Sequence, residues 1–174
     1  MSRPTIAPTG RETSFGTEEI IVSKTDLKGR ITYANDVFLR VSGYSEEELL
    51  GQSHNILRHP AMPHSVFKLL WSTIQRGEEI FAYVVNLAKN GDHYWVFAHV
   101  TPSYGPDGAI DGYHSNRRKP DPEQVAKIEP LYRKLTEIEK GAPRAKDGMD
   151  AAIDHLKKTL EAQGTTYERF VFSF

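Results

Sequence analysis

Residues 80–102 read Ile80-Phe81-Ala82-Tyr83-Val84-Val85-Asn86-Leu87-Ala88-Lys89-Asn90-Gly91-Asp92-His93-Tyr94-Trp95-Val96-Phe97-Ala98-His99-Val100-Thr101-Pro102. Two runs rich in β-branched and aromatic residues flank Asn90-Gly91, the strongest short-range hairpin signal. In the second run Tyr94, Val96, Ala98 and Val100 share one face, while His93, Trp95, Phe97 and His99 share the other. Alternation does not say which face is inward. Gly105-Pro106-Asp107-Gly108 makes a second turn, and residues 110–117 resume the strand pattern. The three strands form an antiparallel meander.

Upstream, residues 19–24 are β-branched and short, Asp26-Leu27-Lys28-Gly29-Arg30 is a turn, and Ile31-Thr32-Tyr33 continues as a strand, so the pair predicts an antiparallel hairpin. A helix begins at Asn35, with Val37, Phe38 and Val41 at helical spacing and Gly43 closing it. Ser45 with Glu48 three positions on is a capping box. Val66, Phe67, Leu70, Trp71 and Ile74 then mark another helix, closed by Gly77. The order β-β, small helices, β-β-β predicts an α+β fold: a five-stranded antiparallel sheet with short helices on one face, plus C-terminal helices.

Between the helical patterns lies Gly51-Gln52-Ser53-His54-Asn55-Ile56-Leu57-Arg58-His59-Pro60-Ala61-Met62-Pro63. Pro60 and Pro63 keep it from fusing with the helix that follows. Its mixture of His, Arg and Asn with Ile, Leu and Met suits the wall of a pocket for a polar-headed ligand.

Three regions are expected. Residues 1–16, with Pro4, Pro8, Gly10 and Gly16 and few apolar residues, read as a flexible arm. Residues 17–120 form the sensor-sized domain. Residues 121–174 form a helical extension: one helix opens at Asp121, another spans 148–163, and an aromatic tail alternates Phe170, Phe172 and Phe174. That tail reads as a strand added to a sheet edge or an anchor in a groove. The two apolar helix stripes together exceed what a small helix pair buries, so at least one is expected to dock elsewhere, in a homodimer or on a receptor. The aromatic outer sheet face is also a candidate partner surface.

The chain has 174 residues, a net charge of −1 and no cysteine. The charge balance does not point to nucleic acid. Without cysteine there is no disulfide framework, thiolate metal site, cysteine nucleophile or light-driven cysteine adduct. No apolar run approaches the ~20 residues of a membrane span, and the N-terminus lacks a signal-peptide core. A cytoplasmic chain without direct membrane insertion is expected. No Ser-His-Asp pattern, paired-carboxylate signature or phosphate-cradling Gly loop is present, so an enzyme is not expected.

Thr25-Asp26, Gly29-Arg30-Ile31, Tyr33-Ala34-Asn35, Gly43-Tyr44-Ser45-Glu46-Glu47-Glu48-Leu49 and residues 89–96 together resemble a PAS domain. The string from His54 to Pro63 narrows this: the chain resembles the PAS domains of bacterial aerotaxis, or energy-taxis, receptors over about residues 20–135. That resemblance implies noncovalent FAD, sensed as a redox state, with Asn35, Arg58, His59, Phe67 and Asn86, and with them Trp71, at the cofactor. It also implies signalling to a chemotaxis pathway. The chain resembles the stand-alone members of the family, which act with a separate membrane-associated methyl-accepting receptor. One departure stands out: the family commonly has Asp where this chain has Ala61.

Each of these residues has a plainer reading. Arg58 matches a diphosphate bidentately, but residue type alone favours a surface ion pair. His59 and His54, with His64, lack the spacing to converge on one helix, so a metal is a minor reading; a haem with a His ligand is a stronger rival. Asn86 sits mid-strand, where a buried amide needs partners. Asn35 also suits an ordinary N-cap. Phe67, Trp71 and Trp95 are most simply core, though Trp71 is expected in the pocket and Trp95 on the sheet. Besides a flavin redox sensor, the chain could be a haem or small-ligand gas sensor, or a cofactor-free PAS interaction module.

Overall fold

The computed structural model describes residues 6–174. Its sheet contains β1 (Ile21–Thr25), β2 (Ile31–Ala34), β3 (Ile80–Leu87), β4 (His93–Tyr104) and β5 (Ile110–Arg118), in the spatial order β2-β1-β5-β4-β3. Every pairing is antiparallel. The hairpin at Asn90-Gly91 sets Leu87 opposite His93 and Ile80 opposite Val100. Because side chains alternate, this register sends Tyr94, Val96, Ala98 and Val100 into the core, and leaves His93, Trp95, Phe97 and His99 half-buried on the other face.

The small helices cover the inner face. In α1 (Asp36–Ser42) the Asn35 side chain accepts from the Phe38 N–H, and Gly43 closes the helix at φ 74°. In α2 (Glu46–Leu49) Ser45 and Glu48 form the expected capping box. The helix α3 (His64–Gln75) buries Val66, Leu70 and Ile74.

The stretch between α2 and α3 is a strap across the sheet. At one end the Gly51 N–H donates to Ile31 O (2.8 Å), and the Ile31 N–H donates to Gln52 O (2.9 Å). A 3-10 turn (His54–Leu57) follows, and Arg58 then pairs with Asn86. Ile31 lies on β2 and Asn86 on β3, the two edge strands, separated by four interstrand spacings or about 19 Å. One short segment thus occupies backbone groups on both exposed edges.

The other face is covered by two elements of the chain's own C-terminal segment, α4 (Pro122–Gly141) and α6 (Tyr167–Val171), while α5 (Ala145–Ala162) packs on α4 and on α3. Tyr132 stacks on Trp95 with ring centroids 6.1 Å apart, and its hydroxyl donates to Tyr83 O (2.6 Å). The Tyr167 hydroxyl donates to Phe81 O (2.9 Å). Leu135, Ala152 and Leu156 are buried where α4 and α5 join the core. The aromatic sheet face meets α4 and α6, and the apolar stripe of α5 meets α4 and α3, so these surfaces find partners within the chain. One expectation is corrected here. The tail is a short helix and not an added strand: Thr166 caps it, and two outward carbonyls of β3 already accept from tyrosine hydroxyls. Helical turning sets Phe172 against Phe81 and Phe97. Phe174 meets Phe170 and Tyr83.

The N-terminal arm is also corrected. Its residues 1–5 lie outside the described residues, but residues 6–16 run along the start of β4. Thr13 N donates to His93 O, His93 N to Arg11 O and Thr9 N to Gly91 O, each at 2.8 Å. Phe15 is buried. Gly91 permits this docking, because it adopts φ 89° and a Cβ there would lie 2.4 Å from Ala7 O. Hydrogen bonds and one buried ring order a segment whose composition alone suggests freedom. Among the described residues no helix is long and apolar enough to cross a membrane.

Candidate ligand-binding site

A cavity of about 250 Å³ lies between the inner sheet face, the strap and α3. Its flat walls come from Phe67 and Trp71 on α3 and from Val84, Ala98 and Val100 on the sheet. Trp71 is seated by an edge contact with Tyr113 (5.4 Å) and by Gly29, where a Cβ would lie 2.8 Å from the indole.

The polar groups are unusual for a core. Arg117, on β5, is only 2% exposed, yet it forms none of the ion pairs found among the described residues. One terminal nitrogen donates to Ser23 Oγ (2.5 Å), and the other lies 3.4 Å from His54 Nε2. The guanidinium rests over Phe38 at 4.6 Å, and its buried Nε has no partner. Burial pulls its pKa down to about 10, with Tyr94 opposing, so it remains charged at neutral pH.

His54 lies 3.2 Å from Ser23 Oγ as well as beside Arg117. Both neighbours can donate, which assigns Nε2 as acceptor and the proton to Nδ1. Burial first, and then the Arg117 charge, push the His54 pKa down to about 3, so the ring is neutral at physiological pH. It retains some accessible surface and lines the cavity.

Of the six residues the resemblance points to, four meet here. Arg58, Phe67, Trp71 and Asn86 all line the cavity. Arg58 donates to Asn55 Oδ1 (2.7 Å), stacks over Phe67 at 4.4 Å and keeps a buried Nε without a partner. Burial lowers its pKa, and the charge of Glu139 partly restores it. Asn86 is buried opposite Tyr94, its cross-strand neighbour; burial pushes the Tyr94 hydroxyl's pKa up, and its oxygen has no hydrogen-bond partner among the described residues.

Asn35 and His59 are placed elsewhere. The Asn35 amide makes three of its four hydrogen bonds to nearby backbone: its oxygen accepts from Val22 N (3.0 Å) and Phe38 N (3.1 Å), and its nitrogen donates to Ile20 O (2.8 Å). It stitches β1 to α1. His59 turns away, accepting from Ala61 N (3.1 Å) and meeting the His93 ring at 5.9 Å. The His54 ring faces Arg117 and the His59 ring faces His93, so the two do not converge. Ala61 is exposed and is not part of the cavity wall. Sequence reasoning passes over Arg117, Ser23 and the role of His54. Arg117 sits in a basic run that looks solvated; the available signal is the pairing of β1 with β5, which sets Tyr113, Ser115 and Arg117 on the face shared with Ser23.

This arrangement offers a planar ligand two aromatic walls, a buried cation, an amide and a neutral imidazole. Those residues fit a flavin ring, whose edge carries both hydrogen-bond donors and acceptors.

A family model for the PAS fold matches residues 31–116. The aerotaxis receptor of Escherichia coli (strain K12) is 45% identical over 127 residues, which are 73% of this chain and 25% of that receptor. The nitrogen fixation regulatory protein of Klebsiella pneumoniae is 31% identical over 99 residues, 57% of this chain and 20% of that protein. The chain therefore spans a quarter or less of these relatives. Among solved structures, a light-oxygen-voltage domain studied with a flavin analogue matches with a TM-score of 0.56 at 21% identity, over 63% of this chain and 82% of that one. At that identity the likeness concerns the fold alone. With its five-stranded antiparallel sheet and helix-covered inner cavity, the domain matched over residues 31–116 belongs to the PAS fold family.

Proposed function

We propose that the chain is a cytoplasmic redox and energy sensor that holds FAD noncovalently in this cavity and signals aerotaxis through a separate chemoreceptor, as a homodimer and without catalytic turnover of its own. The observation that carries the ligand reading is Arg117. A buried guanidinium without a carboxylate is costly unless another partner supplies acceptors. An acceptor-rich planar ring between Trp71 and the sheet supplies them. The similarity to the aerotaxis receptor supports the signalling part.

When bound, the flavin would supply reversible electron acceptance. The chain's own groups do the rest. Arg117 offers positive charge where electron density would rise, and Asn86 can reverse its amide to donate or accept. Neutral His54 can take up a proton at Nε2 once a nearby negative charge offsets Arg117. Arg58, at the end of the strap, presents a fork suited to phosphate.

The test is an absorbance spectrum of the purified chain, followed by titration with FAD. Two flavin bands in the blue and near-UV are expected, with weaker binding in Arg117→Leu. A Soret band, or no binding of added FAD, would overturn the cofactor reading. Calorimetry of the oxidised and reduced protein against the receptor tests signalling. Equal affinities would remove it, because a ligand shifts an equilibrium only through differential interaction.

A further inference from the structure

We propose that Glu139 is the joint through which the state of the cavity reaches the C-terminal helices; the ligand reading above enters only as the identity of what fills the cavity. The helix α3 starts at Pro63 without a side-chain cap of its own. The first N–H groups of a helix need partners, and its N-terminus favours negative charge. Both needs are met from α4: one Glu139 oxygen accepts from His64 N (3.0 Å) and the other from Ser65 N (2.8 Å). One turn earlier, the Thr136 hydroxyl donates to Tyr132 O (2.8 Å) within α4 and lies 3.5 Å from Ala61 O. The last turns of α4 therefore hold the start of α3 and lie against the end of the strap.

What they hold is part of the cavity wall. Phe67, Leu70, Trp71 and Ile74 all line the cavity from α3. Glu139 is in turn locked to α5. Gly148 packs on the Glu139 backbone so closely that a Cβ would lie 2.4 Å from its carbonyl oxygen. A shift of α3 as the cavity fills therefore bears on Glu139 and, through its backbone, on α5. The helices α3 and α5 also pack directly on one another, and there Lys68 meets Asp150 (2.5 Å) as a pair of exposed side chains that contributes little. The charge of Glu139 also acts on Arg58, inside the cavity. Such coupling is reciprocal: loosening α5 must loosen the hold on α3 by the same factor.

The test is a double-mutant cycle on the full chain, with Trp71→Ala as the perturbation of the cavity and Glu139→Ala as the cut joint. It is read by amide hydrogen exchange in α3 and in α5. Trp71→Ala is expected to speed exchange in both helices, by about fivefold or more in α5, the low end of ordinary coupling between sites. In the Glu139→Ala background it should speed α5 by less than half as much, the remainder passing through the direct contact of α3 with α5. Equal acceleration of α5 in both backgrounds, or none with Glu139 present, would overturn the joint. Should Ala loosen the whole helix pair, Glu139→Gln keeps an acceptor oxygen, and the α5 response should fall by at least half; an undiminished response overturns the proposal. FAD added to the unmutated chain should slow α3 and α5 together. Slowing in α3 alone overturns the joint, whereas no slowing anywhere beside an intact cycle supports the joint and overturns the cofactor reading.

Discussion

The two faces of the sheet solve opposite problems. The outer face is aromatic, and the chain covers it itself: Trp95 meets Tyr132, Phe97 and Phe81 meet Phe172, and two tyrosine hydroxyls satisfy edge carbonyls of β3. Its packing serves stability. The inner face leaves a cavity and places in it a buried cation whose hydrogen-bond partners among the described residues are a serine and a histidine. Packing alone gives no reason to keep Arg117 there. The difference separates a surface built to hold the fold from one built to hold something else.

Substitutions on the two faces should therefore part stability from binding. The largest effect is expected from Leu135→Ala, in the fully buried joint between α4 and the core. It should cost about 2–5 kcal/mol in urea unfolding, with FAD affinity unchanged under conditions where the chain remains folded. An equal fractional loss of FAD affinity would show that the outer layer also shapes the cavity. Next comes Arg117→Leu. Losing hydrogen bonds to a charged group should weaken FAD by about 10- to 150-fold in a fluorescence titration. Stability should hold or rise, because an unpaired buried charge is replaced by an apolar side chain. A large drop in stability would instead make Arg117 a structural residue. Smaller again is Tyr132→Phe, which leaves Tyr83 O without its hydroxyl donor and should cost about 1–3 kcal/mol by the same urea assay, with FAD binding intact.

The smallest effect concerns pH. The folded-state pKa of His54 lies near 3, below its ordinary 6.5. The unfolded chain therefore binds a proton that the folded chain refuses. The stability tied to the neutral ring is fully present above pH 6.5 and drains as the pH falls toward 3. Thermal unfolding at pH 7.5 and 5 should show a larger fall in Tm for the unmutated chain than for His54→Asn. Arg117→Leu should narrow that fall, since the Arg117 charge is the second cause of the shift. Equal falls in all three would mean that His54 is solvated in the cavity.

Much of the sheet is legible because its signals are local. Asn90-Gly91 needs only its own turn geometry to pair β3 with β4, and Ser45 with Glu48 needs only a single helical turn. Phe67 and Trp71 are legible as cavity residues through a resemblance, and the structure brings them together with Arg58 and Asn86. Asn35 and His59 share the motif but not the cavity, because backbone partners nearby claim their polar atoms. The free arm and the added strand fail for one reason: composition reports what a segment can do alone, not what it meets. Residues 6–16 look free until β4 offers its backbone, and Phe170, Phe172 and Phe174 look like a strand until the edge of β3 is already taken.

By itself, then, the sequence determined the five strands, the helices between and directly after them, their order and the alternation within each strand, since these depend on neighbours a few residues apart. Tertiary structure decided which face of β4 turns inward, that the chain covers its own outer face, and that Ser23, His54 and Arg117 meet. Those three lie 31 to 94 positions apart. Whether a charge is solvated or buried depends on that meeting, and no local pattern carries it.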